Sequence, residues 1–564
     1  MRSLNLSNLL FIIVYNLFIG DVLFAQQTSH QNENTLTLQS VNCLVCVIGP
    51  TFQNCLDLAA EQSTYLSQIK NFPFPIKNVR NKKIYLSKLN EIHQSCLRKK
   101  VIMEEYRAPT TYQTYFGDIK PINSFESYLL RYKSILKAKN SLDIQTLHFK
   151  GDELGIELAN QLIKRSLEGV KIRIIIDSLA PFIDRSNKIY FYNTYKMYRN
   201  LMAAGIIVYN FHCNNPTFDL WNEWKRYGGF SHNVLFWKRT HEKIWLQDMD
   251  FLILGGHNLA NSYFTEWRDQ DIYYENYGYP IEWSKNQFEK NIQYLKKRNS
   301  YVKNSDYCLN KNELGSDKFK EFHEKHTQTY LPTVSEQKFT DYLSRINTQA
   351  RSSLESLKER VFREWKLLLT HSRPALKERN IEKVLIGLMN NAKNEIIISN
   401  CYFIPSEPLL QSLKMAIKRG VSIHLLTNGD SAQEKNAQIV SKLSSYHFFP
   451  LLAYGLAYKN PIQIYEWVGD KKRNLFHGKL MVIDRTWSII GSYNIDYVSR
   501  DKNSELISTL EDKEVGEKLA KDFFEKDIKK ANKIDLIQGL RRHYPKMRKD
   551  YYLIQIGKML KYRL

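Results

Sequence analysis

Cysteine is scarce in this chain, with seven in 564 residues, and four of them crowd together at Cys43, Cys46, Cys55 and Cys96. Cys43 and Cys46 form a CxxC, but no second spaced pair follows. A structural zinc site is therefore poorly supported, and disulfides or free structural thiols are the expectation. In an exported chain the four could close two disulfides in any of three pairings. Cys213, Cys308 and Cys401 are scattered. Negative charge is also short: 58 Asp+Glu stand against 81 Lys+Arg, a formal +23. That balance favours anionic partners, nucleic acid or an anionic phospholipid surface, and does not choose between them. Long apolar runs are nearly absent. Beyond Phe24 nothing approaches the ~20 apolar residues of a membrane span. A hydrophobic content of 43% with 25% charged residues argues against wholesale disorder.

The exception lies at the start. Arg2 precedes an apolar run from Leu9 to Phe24, broken by Asn16, Gly20 and Asp21 and followed by the small Ala25. Residues 1–25 read as an export signal, or alternatively as a retained anchor, since Leu23 and a thin positive region make an imperfect cleavage site. The expected location is exported, periplasmic or secreted and membrane-associated; the alternative is an inner membrane with an N-terminal anchor. Residues 26–119 read as an extension carrying the clustered cysteines. At the other end, residues 536–564 hold eight Lys+Arg and one acidic residue among Leu, Ile, Met and Tyr. This basic tail suits either an amphipathic helix on an anionic membrane or a helix docked on the preceding domain.

Between these ends the pattern repeats. SLDIQTLHF alternates like a strand, ELGIELANQLIKRSLEG has helical spacing and stops at Gly169, and VKIRIIID is a short buried strand. NEIIISNCYF, EPLLQSLKMAIKRG and VSIHLLTN follow in the same order later. Gly169 and Gly420 lie 251 residues apart and the two histidines described next lie 236 apart, so the first copy carries about 15 more residues between. Strands alternating with helices predict an α/β fold with a parallel or mixed sheet, in two domains, 120–345 and 391–535, related by a pseudo-twofold axis. Residues 346–390 are rich in helix formers and are expected to be a helical linker or a lead-in helix.

The repeat carries chemistry. His241, Lys243, Asp248, Gly255, Gly256, Asn258 and Asp269 are matched by His477, Lys479, Asp484, Gly491, Ser492, Asn494 and Glu505, at the same offsets of 2, 7, 14, 15, 17 and 28 from each histidine. Histidine and lysine two apart on a strand share one face. The aspartates suit a turn, and the glycines of the return strand let backbone and ligand approach closely. A neutral imidazole can attack phosphorus while a protonated one supplies a leaving alkoxide with its proton. Lysines neutralise non-bridging oxygens, and Asn or Ser donates further hydrogen bonds. Asp269 and Glu505 are the expected carboxylates behind the histidines. Asp248 and Asp484 belong to the candidate catalytic set but are expected to hold the hairpin or the lysine. Gly256, Ser492, Asn258 and Asn494 are the expected substrate-binding positions. Trp267 and Arg268 read as local packing and an ion pair, with phosphate binding by Arg268 as the alternative. Lysine is a poor metal ligand, so no metal and no other cofactor is expected.

At these residues the chain resembles the phospholipase D superfamily, whose signature is H-x-K-x4-D with a downstream G-G/S-x-N. The segments GGHNLANSYF, GSYNIDYVSRDKNSEL and YFIPSEPLLQSLKMAIKRGVSIHLLTN are most similar to those of bacterial cardiolipin synthases. The resemblance implies two phospholipase D-like α/β domains with one active site at their interface. It implies that His241 is the nucleophile and His477 the general acid and base, the reverse being open because the two copies are alike. It also implies phosphate binding by Lys243, Lys479, Asn258 and Asn494, and phosphatidyl transfer or hydrolysis on anionic and zwitterionic phospholipids. A monomer is expected because both motifs share one chain. Two other classes remain open: a phosphodiesterase acting on nucleic acid, and a non-catalytic lipid- or nucleic-acid-binding protein. The latter would be expected to carry a degraded motif, and neither copy is degraded.

Overall fold

A computed structural model describes residues 112–177, 188–211, 239–297, 361–374, 378–433, 438–460, 462–469, 474–535 and 538. The export segment, the four clustered cysteines and, Gln538 apart, the basic tail lie outside the described residues. Among the described residues no helix is long and apolar enough to cross a membrane.

The first half runs β1 (Gln113–Asn123), α1 (Ser124–Lys137), β2 (Ser141–Gln145), α2 (Glu153–Leu167), β3 (Lys171–Ile176), α3 (Lys188–Ala203) and β4 (Ile207–Asn210). It continues through β5 (Ile244–Gln247), β6 (Phe251–Gly255), β7 (Gln270–Glu275) and α4 (Tyr279–Lys297). The second half runs β8 (Phe362–Arg373), β9 (Glu378–Arg379), α5 (Asn380–Asn391), β10 (Glu395–Asn400), α6 (Glu407–Lys418), β11 (Ser422–Asn428), α7 (Gln438–Ser445) and α8 (Phe448–Ala457). It ends with β12 (Gln463–Trp467), β13 (Lys479–Ile483), β14 (Trp487–Gly491), α9 (Tyr497–Asp501), β15 (Glu505–Glu511), α10 (Lys513–Leu519) and β16 (Ala531–Ile534).

All these strands join one mixed sheet in which β8 pairs with β1 at the centre. Outward from that seam the order is β1-β7-β6-β5-β2-β3-β4 on one side and β8-β15-β14-β13-β10-β11-β12 on the other, so position by position the halves match. The predicted two-domain α/β repeat is what the sheet displays. The seam is antiparallel, with Gln113 opposite Leu367 and Asp118 opposite Phe362.

Local sequence explains the elements. Asn123 caps α1 by accepting from the Phe125 and Glu126 amides, and Glu126 returns a bond to the Asn123 amide, a reciprocal capping box. Gly169 and Gly420 follow α2 and α6 at φ +98° and +87°, a left-handed turn that ends each helix where the sequence predicts it. Strands β5 and β6 are buried throughout, yet their alternation still matters. Trp245, Phe251 and Ile253 face a core formed with α1, α2 and α3. Ile244, Leu246, Leu252 and Leu254 face the other way, into a core shared with Leu480, Val482, Ile490, Leu506 and Leu510 of the second half. The halves are thus joined by both a sheet and an apolar core.

Two expectations need correction. Domain one begins before residue 120, because β1 starts at Gln113. In the described part of 346–390 the lead-in helix is confined to the segment that begins at Asn380, and Phe362–Arg373 is a strand and not a helical linker. Trp365, Leu367 and Leu369 alternate into the shared core, and pairing on both sides overrides the helix propensity of the Lys, Glu and Leu residues around them.

Asp248 and Asp484 close the β5–β6 and β13–β14 turns at φ 52° and 51°. Asp248 accepts from the backbone N–H groups of Lys139, Asn140 and Ser141 at 2.7, 2.7 and 2.8 Å. Asp484 does the same with Lys393, Asn394 and Glu395 at 2.9, 2.7 and 2.9 Å. These carboxylates stand at the far end of the hairpin from the histidines, so they fix the entry into β2 and β10 and are not part of the reacting set. Burial pushes the Asp248 carboxyl up, but the backbone donors outweigh it and hold it below the usual range. Its contribution to stability is therefore present above the unfolded carboxyl pKa and is lost as pH falls through the depressed folded value. Asp248→Ala should cost about 1 kcal/mol in chemical denaturation, because three backbone N–H groups at a largely exposed turn lose their acceptor. Asp248→Asn, which tolerates positive φ and keeps an acceptor, should cost less; equal losses would show that the donors do not matter.

Candidate active site

Each histidine is built into the site from both halves. Just before β5, Thr240 bridges to Ser504, and the His241 N–H donates to the Ser504 carbonyl at 2.8 Å. Just before β13, Phe476 bridges to Arg268, and the His477 N–H donates to the Arg268 carbonyl at 2.7 Å. The next residue in each strap is the carboxylate. His241 Nδ1 lies 2.9 Å from Glu505 Oε2, and His477 Nδ1 lies 2.6 Å from Asp269 Oδ2. The 28-residue spacing therefore pairs each histidine with the carboxylate of the opposite copy. A carboxylate at Nδ1 keeps the proton there and leaves Nε2 unprotonated for attack.

The glycine and serine of the return strands serve these carboxylates. A Cβ at Gly256 would fall 2.3 Å from Asp269 Oδ1, so only glycine makes room for that side chain. Ser492, at the matching position, donates to Glu505 Oε2 at 2.5 Å and accepts from the Leu506 N–H at 3.0 Å. Both positions, expected to touch substrate, instead lie behind the histidines and support the carboxylates.

The lysines point inward on the same face as the histidines. Lys243 Nζ donates to the His241 carbonyl at 2.7 Å, and Lys479 Nζ donates to the His477 carbonyl and lies 2.9 Å from His477 Nδ1. Lys243, at 1% exposure, and both histidines, at 6% and 7%, are buried. Burial, with Lys479 adding like charge, drags the Lys243 ammonium down to about 7 although Glu505 opposes it. His241 is lowered by burial and by both lysines, against the pull of Glu505. His477 is lowered to about 3, first by burial and then by Lys479, with Asp269 opposing. Asp269, despite burial, is held below the usual carboxylate range by Lys479, His257 and His477. Each histidine thus feels the lysines of both copies, which places the two sets in one electrostatic site.

Asn258 and Asn494 follow β6 and β14. Asn258 Oδ1 accepts from Thr146 Oγ1 at 3.1 Å, and Asn494 Oδ1 lies 3.0 Å from the Cys401 thiol. Arg268 answers to the ion-pair reading, with Nε 2.9 Å from Asp527 and its plane over Phe523. Among the described residues no three His, Cys, Asp or Glu side chains gather as a metal site.

Several neighbours escaped sequence reasoning. Trp267 stacks on His477 with ring centroids 5.6 Å apart, and Tyr263 meets the same ring edge-on at 4.9 Å. Glu242, between His241 and Lys243, faces away and accepts from Asn291 and Gln145 at 2.7 and 3.1 Å; burial pushes it up to about 6. Cys401 falls opposite Leu147 when the copies are aligned, so the repeat gives no signal for it.

The comparisons agree with this geometry. The family model described as "Cardiolipin synthase, PLD-like domain" matches residues 132–291 and 385–528, together more than half of the chain. Cardiolipin synthase 1 of Bacillus anthracis is 25% identical over 71% of this chain and 64% of its own length. The chain therefore spans less than two thirds of that relative. A cardiolipin synthase of Clostridium perfringens is 23% identical over 84% of each. Among solved structures, phosphatidylserine synthase of Haemophilus influenzae covers 83% of this chain and all of its own at TM-score 0.57 and 13% identity, a likeness of fold. With both copies of the motif inside the matched blocks, the chain belongs to the family of cardiolipin synthase, phospholipase D-like domains.

Proposed function

We propose that this chain transfers the phosphatidyl group of a glycerophospholipid through a phosphohistidine, in the manner of a cardiolipin synthase or a phospholipase D. The observation that carries the reading is the crossed pair: two imidazoles, each held at Nδ1 by the carboxylate of the other half, with two lysines beside them. One imidazole Nε2 attacks phosphorus and the bond to the head-group oxygen breaks. The second imidazole, carrying a proton, delivers it to that oxygen, and the head-group alcohol leaves. The second imidazole then takes the proton of an incoming alcohol or water as its oxygen displaces the histidine from phosphorus. Lys243 and Lys479 neutralise the non-bridging oxygens. Relatives named cardiolipin synthase support a phospholipid substrate and make cardiolipin a product to look for.

The family resemblance gives the attack to His241 and the proton to His477. Burial and the lysines lower both imidazoles, so either ring meets the need of a nucleophile to be neutral, and the assignment rests on the resemblance.

His241→Ala and His477→Ala should each lower turnover by about four orders of magnitude, since either loss breaks a two-step mechanism. Turnover is read with mixed phosphatidylglycerol and phosphatidylethanolamine and an added alcohol. Cardiolipin or the new phosphatidyl alcohol is the expected product. DNA cleavage with no lipid turnover would sink the proposal. Rapid quench and peptide mapping should find phosphate on one histidine only, and its position decides between 241 and 477.

The pH profile gives a further check. Lys243 must be charged to act, and its pKa lies near 7 in the free protein, so kcat/KM should fall as pH rises through about 7. Glu505 raises that value, so Glu505→Gln should move the limb to lower pH. A limb that stays in place would mean that another group sets it.

A further inference from the structure

Asn258 and Asn494 occupy matching places, yet they are held differently. Asn258 Oδ1 accepts from Thr146 Oγ1 at 3.1 Å and from the His148 N–H at 3.2 Å, while Nδ2 donates to the Tyr263 hydroxyl at 2.7 Å. Its amide is fixed at both ends and its NH2 group is already engaged inside the first half. In the second half Asn400 stands where Thr146 does in the first, and it is the next residue, Cys401, whose sulfur lies 3.0 Å from Asn494 Oδ1. The other two holds are gone. The Tyr402 N–H, matching that of His148, goes to Asn400 Oδ1 at 3.3 Å. Ser499 replaces Tyr263 and accepts the backbone N–H of Asn494 at 3.3 Å, leaving the side chain alone. Among the described residues the thiol is the one group bonded to the Asn494 amide.

An amide held by nothing can turn over, exchanging its acceptor for its donor. A phosphate oxygen would then meet a carbonyl oxygen. Burial pushes the Cys401 thiol up to about 12, so it keeps its proton, and the Lys479 ammonium beside the sulfur leaves that proton for the amide oxygen. We propose that Cys401 is the positioning residue of the site: its S–H fixes the Asn494 amide so that Nδ2 is the NH2 group offered to the phosphoryl oxygen. Asn258, bound to Tyr263, is then a structural member of the same motif. The inference rests on the reading that this site holds a phosphoryl group, and not on which lipid carries it.

The test is calorimetric titration of the full chain with inorganic tungstate, a tetrahedral oxyanion, alongside the lipid assay. Cys401→Ala should weaken tungstate binding about ten-fold and Cys401→Ser, which keeps a donor, should restore it to within about two-fold. Asn494→Ala should weaken it at least as much, and the double variant no further, because the thiol acts only through the amide. Thr146→Val should lose several-fold less than Cys401→Ala, since two other bonds still hold Asn258. Wild-type binding in Cys401→Ala, full additivity with Asn494→Ala, or no tungstate binding by the unaltered chain overturns the inference. Should Cys401→Ala fail to fold, Cys401→Thr and Cys401→Val, alike in shape, replace it: binding kept by Thr and lost by Val supports the role, and equal loss overturns it. The tungstate pattern without lipid turnover would remove the phosphatidyl-transfer reading alone. Lipid turnover with unaltered tungstate binding in Cys401→Ala would remove this inference alone.

Discussion

The crossed histidine–carboxylate pair is the constraint on which the rest of the structure depends. His241 takes its carboxylate from Glu505 and His477 takes its own from Asp269, so neither half completes an imidazole alone. Placing a carboxylate oxygen 2.6–2.9 Å from a ring nitrogen across two domains leaves little tolerance for domain movement. Two features remove that movement. The β1–β8 seam makes the sheets continuous, and Ile244, Leu246, Leu480 and Leu506 share one apolar core beneath the strands that carry the site. The backbone straps at Thr240–Ser504 and Arg268–Phe476 then set the registry to within one residue. A buried carboxylate is costly unless it is bonded, and Glu505 and Asp269 are bonded to the groups whose position matters.

Much of this was legible. Identical offsets from His241 and His477 located the site, and helical spacing ending at Gly169 and Gly420 located the repeat. What spacing does not carry is direction: a residue 28 positions downstream can serve its own histidine or its counterpart's, and only the fold decides. The same limit explains Gly256 and Ser492. A glycine in a motif invites a ligand, but here the space is filled by Asp269. The strand Phe362–Arg373 was hidden because its Lys, Glu and Leu residues favour helix, and its pairing with β1 and β15 is non-local. Tyr263 lies in the helical turn Ser262–Glu266 and Trp267 just beyond it, and their sequence gives no hint that these rings reach a histidine of the other half.

The pseudo-twofold is close in the straps and in the turns of Asp248 and Asp484, and it fails around the imidazoles. His477 sits against Tyr263 and Trp267, whereas the positions that match those two in the second half are Ser499 and Asn503. Glu242 follows His241, whereas Gly478 follows His477, where a Cβ would fall 2.5 Å from Gln270 Oε1. A two-step transfer needs its histidines in different states at the same moment, one neutral and one protonated. Two equal environments would give them equal affinities for the proton. The differences lie where they can separate those affinities, and the shared parts lie where only geometry matters.

Burial beside Lys479 disfavours the charged form of Lys243 and draws its ammonium down to about 7. A phosphodiester monoanion placed beside Lys243 supplies the opposite charge it lacks, so it should bind most tightly when Lys243 is protonated and should raise the Lys243 pKa in turn. The same anion lifts the imidazoles, which burial and the lysines hold neutral in its absence. Under the proposed transfer, the proton for the leaving group would therefore become available when the substrate arrives and be released when the product departs. The site couples its acid to its occupancy through charge alone, without requiring the sheet or its shared core to move.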